Sequence, residues 1–216
     1  MTEDFSRRPI ASRNTKWAAY VTRRLVEERV QPNHISMGSV VAAALAFAAF
    51  ALSACTGPFW AGLLLVAGAG LTQMRLLCNL FDGLVAVEGR MGSPDGAFWN
   101  EVPDRVSDLL ILAGFGAAAG SLSLGLLAGA LAVMTAYLRE FGRAAGLGSD
   151  FSGPGAKSHR MAVVTGGALA QALALILGIG WPVLLWALGL VIALTAITVV
   201  RRSLRILRRL SDQKPG

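Results

Sequence analysis

The sequence predicts an all-α integral membrane chain, with six transmembrane helices preceded by an N-terminal amphipathic interfacial helix. Three observations carry this expectation. Of 216 residues, 54% are hydrophobic and only 15% charged, against roughly 25% charged in soluble domains. Ile35–Met74 and Met161–Val200 each run 40 residues without an Asp, Glu, Lys, Arg or His, and Leu109–Leu138 runs 30. All 20 Lys and Arg fall into four clusters that the apolar runs separate.

The elements follow in order. Residues 1–34 form a cytoplasmic or interfacial segment, polar and without an early apolar core, so no cleavable signal peptide is expected. Between Thr15 and Arg29, Trp17, Tyr20, Val21 and Leu25 share one helical face while Arg23, Arg24 and Arg29 lie elsewhere, the pattern of a helix in the headgroup layer. Residues 35–200 are the membrane unit. A span takes about 20 apolar residues, so each 40-residue run holds two, broken at Thr56-Gly57-Pro58 and at Gly178–Pro182. The middle run breaks at Gly120-Ser121 and is long enough for two spans only if span 3 starts near Phe98 and span 4 runs on toward Gly146. Ser93-Pro94 reads as the start of that third helix, serine as cap and proline in the first turn. Residues 201–216 are a basic tail, in which Leu204, Leu207 and Leu210 recur every third position, suited to anionic lipid.

Charge placement sets orientation. Seven Lys and Arg precede residue 35, three lie between 75 and 105, four between 139 and 160, and six follow 200. The positive-inside rule puts the termini and both polar loops in the cytoplasm, with a bacterial cytoplasmic membrane as the expected location. The isoelectric point near 10.4 is therefore a topology signal, and no nucleic-acid partner is expected. A transporter is disfavoured because spans 1, 5 and 6 hold no ionisable residue. Cys55 and Cys78 fall at opposite ends of spans 1 and 2, too far apart for a disulfide.

The chemistry is concentrated where polar residues enter the apolar pattern. In NLFDGLVAVEG (79–89), Asn79, Asp82, Gly83 and Ala86 share a helical face, by the 3-, 4- and 7-residue spacing of a helix. Leading span 3, Gly96, Asn100, Asp104 and Asp108 recur every four residues and share another. Carboxylates gathered this way suit a hard divalent cation that also binds substrate phosphate.

These residues resemble the signature of the CDP-alcohol phosphatidyltransferase family, D-x2-D-G-x2-A-R-x8-G-x3-D-x3-D. Asn79 stands at the first Asp, Asp82 at the second, Asn100 at the third and Asp104 at the fourth. Gly83, Ala86 and Gly96 match, and Val87 replaces the Arg. PNHIS (32–36) is similar to the family's PN-x-I-[ST], and DRVSD (104–108) to the D-R-[IV]-S-D of its inositol-phosphate-using branch. The resemblance implies transfer of a phosphatidyl group from a CDP-alcohol, commonly CDP-diacylglycerol, to an acceptor hydroxyl with release of CMP. It implies Mg²⁺ or Mn²⁺ as cofactor and a homodimer in the membrane. Asp104 is the implied base, and Asp82, Asn79, Asn100 and Asp104 the implied metal set, with Asp108 as compensating ligand for the two amides. Gly83, Ala86 and Gly96 leave room for the nucleotide, and Arg90 is the stand-in for the missing Arg. Arg139, Arg143, Lys157 and Arg160 are the basic residues placed to meet an anionic acceptor, an alcohol or alcohol phosphate. The amides at 79 and 100 also keep open a catalytically impaired member that binds CDP-lipid or acts as a scaffold.

Overall fold

The structure is a computed structural model that describes residues 15–212. The segment 1–14 of the expected interfacial region and the last residues of the tail, 213–216, lie outside the described residues. Seven α-helices follow one another, with no strand among the described residues: α1 Lys16–Glu27, α2 Pro32–Ser53, α3 Pro58–Glu88, α4 Gly96–Ala118, α5 Leu122–Ala144, α6 Lys157–Ile176 and α7 Val183–Asp212. The breaks fall where the turn formers stand. Gly57 and Pro58 start α3, the latter in the first turn, where its missing N–H costs nothing. Ser121 caps α5 by accepting from the Leu124 amide.

Five helices, α2, α3, α5, α6 and α7, are long and apolar enough to cross a membrane. The sixth expected span, α4, has the length but carries Glu101, Asp104, Arg105 and Asp108 between its start and just past its middle. Its start also differs from expectation. The helix begins at Gly96, after Asp95 rather than Ser93, and the Asp95 carboxylate accepts from the Trp99 indole at 2.8 Å. Hydrogen bonds from Ser93 and then Trp99 hold Asp95 below the usual carboxylate range. The α3 helix, at 31 residues, is about 46 Å long, which exceeds the roughly 30 Å of a hydrocarbon core. Its last turns, with Asn79 and Asp82, lie beyond the apolar stretch.

The helices close into a ring. The most extensive packing pairs α3 with α2, α2 with α4, α4 with α5, α5 with α7, α7 with α6 and α6 with α3, while α1 lies against α3. The centre is built from small and medium residues, with Ala43, Ala46, Ala69, Ala128, Ala132, Ala168 and Ala172 around Phe50, Phe115, Leu112 and Met161. Phe50 and Phe115 meet edge-to-face at 5.6 Å between centroids. Small residues let helix backbones approach where no hydrophobic force draws them together. At the α4–α5 crossing, a Cβ on Gly116 would sit 2.5 Å from the Gly125 Cα, so both positions must be glycine.

In α1 the buried residues are Ala18 and Thr22, whereas Trp17 and Tyr20 stay exposed by 52% and 61%. Trp17 also stacks edge-on against Phe81 of α3, at 5.4 Å. One end of the ring thus gathers the start of α2, the ends of α3, α5 and α7, and the starts of α4 and α6.

Candidate active site

The polar faces of α3 and α4 meet at this end. On α3, Asp82 accepts from the Ser36 hydroxyl of α2 at 2.8 Å through Oδ2, and from the Gly83 amide at 2.6 Å through Oδ1. Its charge lies within electrostatic reach of Asp104 and Lys157. On α4, Asp104 Oδ1 accepts from Arg75 Nη2 at 3.0 Å, and Oδ2 accepts from Lys157 Nζ at 2.5 Å and Arg105 Nη2 at 3.4 Å. The same Lys157 ammonium donates to Asn79 Oδ1. One lysine from α6 therefore joins the first and last signature positions.

One turn further along α4, Asp108 is buried between two arginines. Arg75 Nη2 reaches its Oδ1 at 2.7 Å and Arg160 Nη2 its Oδ2 at 2.6 Å. The buried shell then holds three carboxylates, Asp82, Asp104 and Asp108, against three cations, Arg75, Lys157 and Arg160, all but Lys157 nearly inaccessible. Paired in this way the charges offset one another. Removing a single partner from a buried pair costs about 3–5 kcal/mol, because it strands the other.

Placement of Lys157 and Arg160 comes from the preceding loop. Gly153 takes a φ of +129°, and a Cβ on Gly155 would lie 2.5 Å from the Thr195 Cα of α7. Only glycines allow the loop to sit so close. The Gly155 amide donates to Thr198 Oγ1 at 2.7 Å, and its carbonyl accepts from Arg160 Nη1 at 2.6 Å. The loop is also tied to α7 through Asp150, which pairs with Arg205 and accepts from the Ser152 amide and hydroxyl. Partial burial pushes the Asp150 carboxyl up, but the Ser152 hydrogen bonds and Arg205 outweigh it and hold it below the usual range.

The other residues that the sequence singles out lie around this core. Arg139 pairs with Glu101 across α5 and α4, and with Glu140, while its guanidinium lies 5.4 Å from the Phe151 ring centroid. Arg143 pairs with Glu140 at 2.8 Å and is more than half exposed. Asn100 and Arg90 are exposed, the latter in the turn after α3 at a φ of +50°. Gly83 and Ala86 are half-buried, and a Cβ on Gly83 would meet nothing within 4 Å. Gly96, also half-buried, would meet only the Ser93 hydroxyl, at 3.6 Å. The structure thus joins Asn79, Asp104, Lys157, Asp108 and Arg160 in one network, with Asp82 beside it, and leaves Asn100, Arg90 and Arg143 at the rim.

Two members of the network, Arg75 and Ser36, are not among the site residues expected from the sequence. Arg75 stands one turn before Asn79 on the same face, so a charge deeper in an apolar helix is its signal. Ser36 closes the PNHIS run, and nothing local in the sequence points it at Asp82.

The donor set bears on a divalent ion. No group of three or more His, Cys, Asp or Glu that could hold a metal occurs among the described residues. Asp82 forms no ion pair among the described residues, its partners being a hydroxyl and an amide. A carboxylate with an amide oxygen, completed by substrate phosphate and water, is within the usual means of holding Mg²⁺. Of the three buried carboxylates only Asp82 is left to such an ion, because Asp104 and Asp108 are paired with cations.

Solved structures share this architecture. The Mycobacterium tuberculosis phosphatidylinositol phosphate synthase PgsA1, in complex with manganese and citrate, aligns with a TM-score of 0.70 at 22% identity, covering 87% of this chain and 88% of that one. The same synthase with CDP-DAG bound aligns at 0.70 and 22%, over 87% and 92% of the two chains. Its apo form aligns at 0.67. The fold is shared with these synthases. At this identity the likeness is one of fold. No family model and no curated protein matches the chain.

Proposed function

We propose that the chain is a membrane phosphatidyltransferase that moves a phosphatidyl group from a CDP-alcohol of the CDP-diacylglycerol type to an acceptor hydroxyl, releasing CMP in phospholipid synthesis. The observation that carries this reading is the meeting of Asn79 and Asp104, the outer positions of the signature spacing, on one ammonium in a fold shared with a CDP-DAG-binding synthase. In this reading α4 is the sixth span, α1 lies in the headgroup layer, and the site faces the cytoplasm at a bacterial inner membrane. A second copy of the chain and the surrounding lipids complete the assembly.

Asp104 takes the proton of the acceptor hydroxyl as that oxygen bonds to the lipid-side phosphorus. The bond from this phosphorus to the CMP oxygen breaks, and CMP leaves with the electron pair. Arg75 and Lys157 fix the Asp104 carboxylate for this proton transfer. Asp82 and the Asn100 amide would hold one Mg²⁺ or Mn²⁺, which supplies charge neutralisation on the diphosphate. Gly83, Ala86 and Gly96 leave space for the nucleotide, with Arg90 at the rim. Arg139 and Arg143, separable from Glu101 and Glu140, suit an acceptor phosphate. Arg160 acts through Asp108, which it holds.

The test supplies the purified chain with CDP-diacylglycerol, Mg²⁺ or Mn²⁺ and a panel of alcohols and alcohol phosphates, and measures CMP. Metal-dependent CMP release with one acceptor is the expected result. The two amides favour a second reading, an impaired member that binds CDP-lipid as a scaffold; CDP-lipid binding without CMP release from any acceptor would select it.

A further inference from the structure

We propose that the Lys157 ammonium is a built-in cation of this site, standing between Asn79 and Asp104 so that the chain takes up one divalent ion where four signature carboxylates would take two. The inference rests on the transferase reading and deepens it.

Geometry supports the assignment first. Lys157 Nζ donates to Asn79 Oδ1 on α3 and to Asp104 Oδ2 on α4, bridging the two helices as an ion shared between them would. The contact is built into the backbone. Lys157 is the first residue of α6, and the Gly155 amide, bonded to Thr198, pins the chain two residues before it.

Charge supports it next. Two carboxylates at 79 and 104 would present two negative charges and call for a divalent ion. With an amide at 79, the pair presents a single charge, which one ammonium balances. The asparagine and the lysine are thus a matched exchange. Asp104 has its other oxygen engaged by Arg75, so neither of its oxygens is free of a cation.

The substitution has a chemical consequence. An ammonium has three N–H donors, and two are spent on Asn79 and Asp104. The third is available to an oxygen of the substrate diphosphate, so Lys157 would contact the leaving phosphate directly. Unlike a bound ion, it cannot dissociate.

The test counts Mn²⁺ bound per detergent-purified chain by electron paramagnetic resonance, with Mn²⁺ as the only added ligand. Wild type and Asn79→Asp are each expected to bind at most one ion. The double variant Asn79→Asp/Lys157→Met is expected to gain one relative to wild type. Two ions on wild type would overturn the proposal, as would a gain on Asn79→Asp alone. A double variant that is monodisperse and helical yet gains no ion would overturn it too. The readout needs neither substrate nor CMP, so failure of the transferase reading leaves this result standing, and the reverse.

Discussion

Ser36 Oγ donates to Asp82 Oδ2 at 2.8 Å, tying the start of α2 to the end of α3. Both side chains are buried, so this hydroxyl holds in place the one buried carboxylate of the site that pairs with no cation among the described residues. Hydrogen bonds to charged groups contribute about 1.5–3 kcal/mol. Ser36→Ala is therefore expected to lower the thermal unfolding temperature in detergent and weaken Mn²⁺ binding, while Ser36→Thr retains both. An alanine variant with unchanged Mn²⁺ affinity would show that Asp82 needs no such support.

Arg75 is the centre of the buried charge shell, fully inaccessible and shared by Asp104 and Asp108. Arg75→Met removes the guanidinium that Asp104 and Asp108 share, leaving the three buried carboxylates of the shell against Lys157 and Arg160. A loss of about 3–5 kcal/mol is expected, read as a fall in unfolding temperature. Adding Asp108→Asn removes one of the stranded charges and should recover part of it. Equal stability of the single and double variants would contradict the shared pairing.

Asp104→Asn keeps the shape of the side chain and one acceptor oxygen but cannot take a proton. CMP release is expected to fall by about 10²–10⁴-fold, the usual contribution of a positioned base, with CDP-lipid binding retained. Release at the wild-type rate would remove Asp104 from the base role.

The loop that positions Lys157 should be acid-sensitive. Against the upward push of partial burial, Ser152 and then Arg205 hold the Asp150 carboxyl below its usual range. A group whose folded pKa is depressed contributes stability above its unfolded value, near 3.9, and loses it as pH falls through the folded one. Wild type should lose its advantage over Asp150→Asn progressively below about pH 4. A difference that stays constant from pH 7 to 3 would contradict this.

Much of the fold was legible because membrane helices announce themselves by length and by the glycines and prolines between them. Thr56-Gly57, Gly120-Ser121 and the stretch 178–182 each fell between helices, with Pro58 opening α3. The start of α4 was misplaced, because proline at 94 permits a helix start without requiring one. In the site, Asp82 and Asp104 stood out through spacing and Lys157 and Arg160 through their place before α6, while Arg75 did not stand out. Nor did the pairings among them. Which carboxylate meets which cation depends on the ring order of the helices, and spacing along one helix carries no information about its neighbours. Asp108 looked like a ligand on its own helix, yet the structure gives both of its oxygens to arginines from α3 and α6.

The ring order also explains a length. The helices α3 and α4 follow one another in sequence, yet each packs far more extensively on α2 than on the other, and their polar faces still meet through Arg75. The stretch between Glu88 and Gly96 must therefore turn the chain from the end of α3 into the start of α4 and still bring Asp104 to Arg75 and Lys157. The gap in the middle of the motif thus acts as a spacer, setting where the polar face of α4 falls relative to the end of α3. Shortening it would put the two halves of the site out of register while leaving every polar residue in the chain.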